Sequence, residues 1–140
     1  MAEQWEMSPA LKTKLSKLVN TQESIETLSQ WCIFHRRKAK AIVQVWEKEF
    51  MGAAVPRKVA FVYLLNDIVQ NSRKKGPEFV REFFNVLRPT LRHMGRHQPA
   101  LVGKLVKMVD LWEARKVFGS STDYRALRHA VAEGATDGEK

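Results

Sequence analysis

The sequence RKVAFVYLLNDIVQNSRKK occupies residues 57–75, and residues 59–65 within it are apolar without interruption. Ile68 and Val69 continue this apolar character one turn later. A helix that is apolar on every side is typical of the interior of a domain. Residues 57–75 therefore predict a buried central helix. Gly76 and Pro77 predict its end, because proline cannot continue the hydrogen bonding of a helix.

The segments before residue 57 also carry apolar residues at helical spacing, and none alternates in the way that predicts a strand. Ser8 followed by Pro9 predicts the N-cap and first position of a helix that runs to about residue 18. Thr21 predicts the N-cap of a second helix, and residues 52–56 predict the turn after a third. The apolar stripes of the second and third helices are Ile25, Leu28, Trp31 and Cys32, and Ile42, Val45, Trp46 and Phe50.

The segments after residue 77 follow the same helical spacing. Pro89 predicts a kink in the fifth helix, or its end near Leu87. Gly119 predicts the C-terminal cap of a later helix, and Ser120 or Ser121 predicts the N-cap of the last one. The inward positions of these two helices are Leu101, Leu105, Met108, Val109 and Trp112, and Tyr124, Leu127 and Val131. Seven or eight short helices are expected, so the fold class is all-α.

The length of 140 residues fits one domain with a substantial core. We expect this domain to span residues 1–132, because residues 133–140 are small and polar and predict a disordered tail. The net charge of +9 favours an anionic partner, which could be nucleic acid, a phosphopeptide or an acidic membrane. Neither a secretory signal nor a run of about 20 apolar residues is present, which predicts a cytoplasmic or nuclear protein.

Residues that could carry catalysis are nearly absent. The single cysteine, Cys32, excludes a disulfide framework and a Cys-rich metal site, and neither a glycine-rich phosphate loop nor a serine nucleophile motif is found. His93 and His97 have the spacing of two metal ligands on one helix face, but no acidic residue or cysteine lies nearby in sequence to complete a zinc site. The sequence predicts neither an enzyme nor a cofactor or metal site.

Polar residues interrupt the central helix in a regular pattern. Tyr63, Asp67 and Asn71 are four residues apart and share one face, and Asn66 and Gln70 lie beside them. A buried carboxylate costs several kcal/mol unless it has a partner. Asp67 could therefore cap a neighbouring helix or pair with a core arginine, or it could line a groove and accept a hydrogen bond from a ligand. The spacing alone leaves both interpretations open.

Basic residues border the apolar stripe of the helix that contains Trp112. Arg115 lies three residues after this tryptophan, and Lys107 lies eight residues before Arg115, so both approach the same side. Arginine and lysine at a groove edge suit a phosphate group. Arg115 could equally complement the negative end of its own helix dipole. The basic run at residues 73–75 has the same two interpretations, since a solvated face is the usual role of a charge run.

The string YLLNDIVQNSRKKGPEFVREF, residues 63–83, resembles the domain family that interacts with the C-terminal domain of RNA polymerase II, the CID family. The resemblance is closest to the branch of nuclear pre-mRNA-regulating proteins. It extends to QESIETLSQWCIFHRR at residues 22–37, IVQVWEKE at residues 42–49 and DLWEARKVFG at residues 110–119. It thus covers about residues 11–131 in the expected order.

The resemblance implies a right-handed superhelix of about eight helices, similar to the VHS and ENTH domains. It implies a phosphopeptide partner, the polymerase heptad Tyr-Ser-Pro-Thr-Ser-Pro-Ser with its first serine phosphorylated. It also implies a role in transcription termination or pre-mRNA 3′-end processing and a location in the nucleus. We expect a monomer without a cofactor or a membrane partner.

The resemblance further implies roles for individual residues. Asp67 with Tyr63 would anchor the tyrosine of the peptide, and Asn66 and Asn71 would bind its backbone or turn groups. On the family's seventh helix, Arg115 would bind the phosphate, with Lys107 as a second basic contact.

Two other binding functions compete with this interpretation. A VHS/ENTH-like trafficking adaptor would bind anionic lipid or sorting peptides, but residues 1–10 offer neither an amphipathic helix nor a basic cluster. A general RNA-binding protein would use Arg36, Arg37, Lys38 and Lys40. That patch lacks interleaved aromatic residues for base stacking, so RNA is expected only as a weak, secondary partner.

Overall fold

A computed structural model describes residues 5–120 and 122–138. Within these residues there are seven α-helices, two short 3-10 helices and no strand. The α-helices are α1 (Ser8–Ser16), α2 (Gln22–Phe34), α3 (Ala39–Gly52), α4 (Val55–Ser72), α5 (Glu78–His97), α6 (Val102–Ala114) and α7 (Tyr124–Gly138), and the 3-10 helices are Arg36–Lys38 and Pro99–Leu101. The predicted all-α class is confirmed. The chain divides into two compact units, Met1–Phe83 and Phe84–Lys140.

The first unit is organised by α4, which packs against α2, while α1 packs against α3. Leu64, Leu65 and Val69 of α4 are fully buried, which confirms the predicted central helix. The indole of Trp46 donates a hydrogen bond to the backbone carbonyl of Phe61 at 3.2 Å and thereby ties α3 to α4. The helix begins two residues earlier than predicted and ends at Ser72, so the basic run at residues 73–75 forms the following turn.

Two adjacent basic residues at the amino end of α4 cap the carboxyl ends of two other helices. The Arg57 guanidinium donates to three carbonyl oxygens at the end of α1 and just beyond it, at 2.8–3.2 Å. The Lys58 ammonium is buried and donates to the carbonyl of Phe50 in α3 at 2.6 Å. Burial lowers the pKa of Lys58 from its ordinary value, because desolvation disfavours the charge. The last carbonyls of a helix have no partner within it, so these two side chains satisfy groups that burial would otherwise leave unpaired.

The predicted N-cap residue is confirmed for the second helix but not for the first. The N-cap position of α1 belongs to Met7, which makes no side-chain cap, so the prediction of Ser8 as the cap is wrong and Pro9 lies in the first turn. Thr21 is confirmed as the N-cap of α2, since its Oγ1 accepts from the Ser24 N–H at 3.2 Å. The predicted turn at residues 52–56 is narrower than expected, because α3 runs to Gly52 and α4 begins at Val55.

Pro89 lies inside α5, which is continuous from Glu78 to His97. The predicted end near Leu87 is therefore wrong. Leu87 and Leu91, on either side of the proline, are fully buried and hold both halves of this segment in helical register. Pro89 and Asn85 are exposed, so the carbonyl of Asn85, which loses its donor to the proline, faces a region that water can reach.

In the second unit, α6 ends without the predicted glycine cap. The helix stops at Ala114, and Lys116 adopts the left-handed conformation with φ 53°. The Lys116 N–H donates to the Glu113 carbonyl at 3.1 Å and the Val117 N–H donates to the Trp112 carbonyl at 2.9 Å, which is the pattern of a Schellman motif. Gly119, with φ 83°, belongs to the turn that follows.

The helix α7 is capped by Asp123, whose Oδ1 accepts from the backbone N–H of Arg125 at 3.0 Å. The prediction of Ser120 as the cap is wrong, and Ser121 lies outside the described residues. The helix continues to Gly138, so the expected boundary after residue 132 falls inside it and residues 133–138 are helical rather than disordered. This segment contacts α5 through Arg92, which forms ion pairs with Glu133 and Asp137 and whose backbone carbonyl packs against Gly134.

The helices α5 and α7 approach closely through two glycines. A Cβ atom on Gly95 would clash with the backbone carbonyl of Val131, and one on Gly134 would clash with the carbonyl of Arg92. Glycine is therefore required at both positions for the two backbones to meet.

Candidate functional site

One face of α4 remains accessible while the rest of the helix is buried. Tyr63 and Asp67 are half-buried and Asn71 is exposed, so the three residues that share a face by spacing also share access to solvent. The Asn71 amide donates to the backbone carbonyl of Asp67 at 2.9 Å. This local bond holds the asparagine against its own helix.

The carboxylate of Asp67 makes no hydrogen bond or ion pair with any residue in the described part of the chain. The sequence left two roles open for it, and the internal one required a helix to cap or a core arginine to pair with. The structure provides neither partner among residues 5–120 and 122–138. Partial exposure lets water solvate the charge, and the same exposure leaves it accessible to a ligand.

Asn66 and Gln70 lie beside this face, one turn apart. The Gln70 Nε2 donates to the Asn66 Oδ1 at 2.7 Å, and both residues are half-buried. This bond fixes the orientation of the Asn66 amide. The four α4 residues predicted to bind a peptide thus lie on one accessible surface, which we call the α4 polar face: Tyr63, Asn66, Asp67 and Asn71.

The turn after α4 carries the basic run, and Arg73, Lys74 and Lys75 are all exposed. Arg73 occupies the C-cap position of α4, where positive charge is favoured by the helix dipole. Both interpretations of this run are therefore compatible with its placement.

In the second unit, the charges of α6 are separated onto two edges. Asp110 and Glu113 lie on one edge, where Arg128 of α7 donates to both carboxylates at 2.9 Å. Lys107 and Arg115 lie on the other edge and are exposed. The negative charge of the helix is thus partly neutralised by α7, and its basic edge faces solvent.

Leu111 lies between the two basic residues, four positions from each, and is 38% exposed. Leu111 was not among the residues predicted from the sequence, although its spacing from Lys107 and Arg115 was the available signal. Lys107, Leu111 and Arg115 together form a surface that we call the α6 basic edge. Arg115 is also the C-cap residue of α6, so its dipole role remains compatible with the structure.

His93, His97 and Cys32 are the residues whose type or spacing suggested metal binding or nucleophilic chemistry. No group of three or more His, Cys, Asp or Glu among the described residues could hold a metal ion. The rings of His93 and His97 lie 4.3 Å apart at the end of α5. Cys32 is buried, and burial raises the pKa of its thiol to about 12, so it is protonated and inert at neutral pH.

The sequence model of the CID domain matches residues 9–125, which include the α4 polar face and the α6 basic edge. The chain belongs to the CID domain family. It is 46% identical over 111 residues to Regulation of nuclear pre-mRNA domain-containing protein 1B of Homo sapiens, covering 79% of this chain and 34% of that protein. It is 41% identical over 123 residues to protein 1A of the same name from Mus musculus, covering 87% of this chain and 39% of the relative.

A solved structure of the CID of Ctk3 is similar to this CID with a TM-score of 0.82, covering 96% of this chain and 99% of that one. At 14% identity this similarity shows the fold alone. The chain spans about a third of the length of the curated relatives that it matches.

Family membership has a direct consequence for function. CID domains are protein-interaction modules, and membership supports interaction with the C-terminal domain of RNA polymerase II. It favours the predicted CID over the trafficking adaptor. In the part of the chain that the structure describes, no helix combines the length and the apolar composition needed to span a bilayer.

Proposed function

We propose that this CID binds the heptad-repeat tail of RNA polymerase II in its serine-phosphorylated form, as a monomer, in the nucleus. Through this contact it links the polymerase to transcription termination or pre-mRNA 3′-end processing. The observation that carries the proposal is the Asp67 carboxylate, accessible on the α4 polar face and without a partner among the described residues. The family match supports the choice of ligand.

The α4 polar face binds the tyrosine of the heptad. Asp67 accepts a hydrogen bond from the tyrosine hydroxyl, and the Tyr63 ring on the preceding turn offers an apolar surface beside it. A hydrogen bond to a charged acceptor is worth about 1.5–3 kcal/mol, more than one between neutral groups. Asn66 and Asn71 bind backbone groups of the peptide, because amides both donate and accept.

The α6 basic edge binds the phosphate. Arg115 makes charge-assisted hydrogen bonds to the phosphate oxygens, and the planar guanidinium can donate two of them in parallel. Lys107 adds a second positive charge, and Leu111 between them offers an apolar contact to the rest of the peptide. Because Arg128 already occupies Asp110 and Glu113, their carboxylates repel an incoming phosphate less than free carboxylates would.

The two contacts belong to different units of the chain, and a comparison of two peptides tests the phosphate contact by itself. A fluorescent peptide of two heptads, phosphorylated on the first serine of each, should bind with a free energy of roughly −7 to −8 kcal/mol, which corresponds to a micromolar Kd. The unphosphorylated peptide should bind more weakly. Equal affinity for the two peptides would contradict the phosphate contact, and binding to anionic vesicles in place of both peptides would favour the adaptor function.

A further inference from the structure

A cluster of aromatic rings lies at the carboxyl end of α2, on residues other than those assigned above to the peptide. The His35 ring lies 4.5 Å from the Trp31 ring and 5.1 Å from the Phe34 ring, measured between centroids. Trp5 packs against Trp31 at 5.8 Å and against His35 at 5.5 Å. Phe34 forms the outer surface of the cluster, because 79% of its area is exposed.

Positive charge surrounds this cluster on two sides. The Lys14 ammonium of α1 lies 5.4 Å from the centroid of the Trp31 ring, in cation–π geometry. The 3-10 helix Arg36–Lys38 follows His35 directly, and Lys40 follows it on α3. None of these basic residues forms an ion pair with a residue that the structure describes. No aromatic residue lies between the basic residues from Arg36 to Lys40 in the sequence, but folding places four aromatic rings beside them.

A cleft of about 540 Å³ borders the same cluster, between the end of α1 and the outer face of α2. Trp31 lines it together with Lys14 and Lys17, and the hydroxyl of Thr27 lies one turn before Trp31 on the same face. Among the described residues that line the cleft, Glu23 supplies the one carboxylate, two turns before Trp31. The cleft therefore combines an aromatic wall, two ammonium groups and hydroxyls.

Ordinary structural roles explain only part of this arrangement. Basic residues at the carboxyl end of α2 complement its dipole, and a single exposed phenylalanine is common on protein surfaces. Neither role requires a ring that is exposed to 79%, packed against His35 and next to consecutive cations. Lys14 lies in the last turn of α1 and Lys17 is its C-cap residue, so these two lysines complement the dipole of α1 and not that of α2.

We propose that this surface binds single-stranded RNA. Phosphates contact Arg36, Arg37 and Lys38, and bases stack on the exposed face of Phe34 and on Trp31. Aromatic side chains beside cations are the recurring recognition surface for single strands, since every base has a π face. A lipid surface would use the charges and the exposed ring, but it would not use a cleft lined by hydroxyls. The cleft also contains the hydroxyls of Thr21, Ser24 and Thr27. These hydroxyls can bind the ribose 2′-hydroxyl, which distinguishes RNA from DNA.

The test uses fluorescence anisotropy of the full chain with a labelled oligouridylate of about 12 nucleotides, a length that covers one binding surface of this kind. Phe34→Leu keeps an apolar side chain and removes the π face, so RNA affinity should fall about tenfold, within the range of one lost stacking contact. Phe34→Trp should retain wild-type affinity within about threefold, because it keeps the ring. The affinity of Phe34→Leu for the phosphorylated heptad peptide should not change, which separates this surface from the proposed peptide contacts.

Two double variants, each of which removes two positive charges, test the phosphate contacts. Arg37→Ala/Lys38→Ala should reduce the slope of log affinity against log salt by about 1.4, since each contact to a single strand contributes about 0.7. Arg88→Ala/Arg125→Ala removes two exposed charges of the second unit and should leave the slope unchanged. Equal slopes for the two double variants, wild-type affinity in Phe34→Leu, or binding of the matched oligothymidylate DNA as tight as that of RNA would overturn the proposal.

Discussion

The amino end of α4 pairs its basic side chains with backbone carbonyls of other helices, whereas its carboxyl half leaves polar side chains accessible. Arg57 and Lys58 donate to backbone carbonyls at the ends of α1 and α3. Tyr63, Asp67 and Asn71, only two to four turns later, are half-buried or exposed. The carboxylate of Asp67 has no partner among the described residues.

On this one helix, the polar residues that have partners within the protein differ from those that are accessible to a ligand. A buried charge is tolerated when the fold provides its partners, and it then contributes to the fold itself. A polar group that the fold leaves accessible and unpartnered is available for a ligand. Substitutions at the amino end should therefore change stability, and substitutions at the carboxyl half should change binding.

The largest effect is expected for Lys58→Ala, which should lower the free energy of unfolding by about 3 kcal/mol. The substitution removes the donor to the Phe50 carbonyl and the packing of the buried stem. Chemical denaturation measures the change, and Lys48→Ala on the exposed side of α3 is the control, expected within about 0.5 kcal/mol of wild type. A similar stability for both variants would show that the Lys58 cap contributes nothing to the fold.

The next effect concerns the α6 basic edge. Arg115→Ala should weaken binding of the phosphorylated heptad peptide by about 2 kcal/mol and hardly change binding of the unphosphorylated one, because the lost bonds go to the phosphate. Titration of both peptides measures this. Arg125→Ala removes an exposed charge of the same unit and should have little effect. Equal weakening of both peptides, together with a lower melting temperature, would make Arg115 a helix-end residue only.

A smaller effect is expected at the α4 polar face. Asp67→Asn keeps the shape of the side chain and removes its charge, so binding should weaken by about 1.5 kcal/mol for phosphorylated and unphosphorylated peptide alike. The free energy of unfolding should change by less than about 0.5 kcal/mol, since no internal partner is lost. Calorimetric titration and thermal denaturation on the same preparation compare the two quantities. A large stability loss would place Asp67 with Arg57 and Lys58 as a structural residue.

The smallest effect is expected in the turn after α4. Lys74→Ala/Lys75→Ala removes two exposed charges and should weaken phosphopeptide binding by less than about 0.5 kcal/mol, with the difference vanishing at high salt. Titration at two salt concentrations measures it. A loss above about 1 kcal/mol that persists at high salt would mean that these lysines contact the peptide directly.

Local features were predictable from the sequence. The central helix, the apolar stripes and the Thr21 cap depend on residues within a few positions of one another, so periodicity and capping rules locate them. The face shared by Tyr63, Asp67 and Asn71 was likewise predictable from spacing. The accessibility of that face was not, because it depends on which neighbouring helices leave it uncovered.

Features that depend on distant residues were not predictable. The partners of Arg57 lie about forty positions earlier in the chain, and nothing in the sequence near residue 57 points to them. The helical continuation past residue 132 depends on Arg92, and the passage of α5 through Pro89 depends on the buried residues beside it. At Lys116, the end of α6 uses a lysine where capping rules favour glycine.

The most direct test of the peptide-binding account is a cycle between Asp67→Asn and a phosphorylated heptad peptide with phenylalanine in place of its tyrosine. If Asp67 accepts a hydrogen bond from the tyrosine hydroxyl, the substitution should cost about 1.5 kcal/mol with the tyrosine peptide and almost nothing with the phenylalanine peptide, because the partner is already absent. The four titrations give this coupling free energy directly. An equal loss with both peptides would contradict the assignment of Asp67 as the tyrosine anchor.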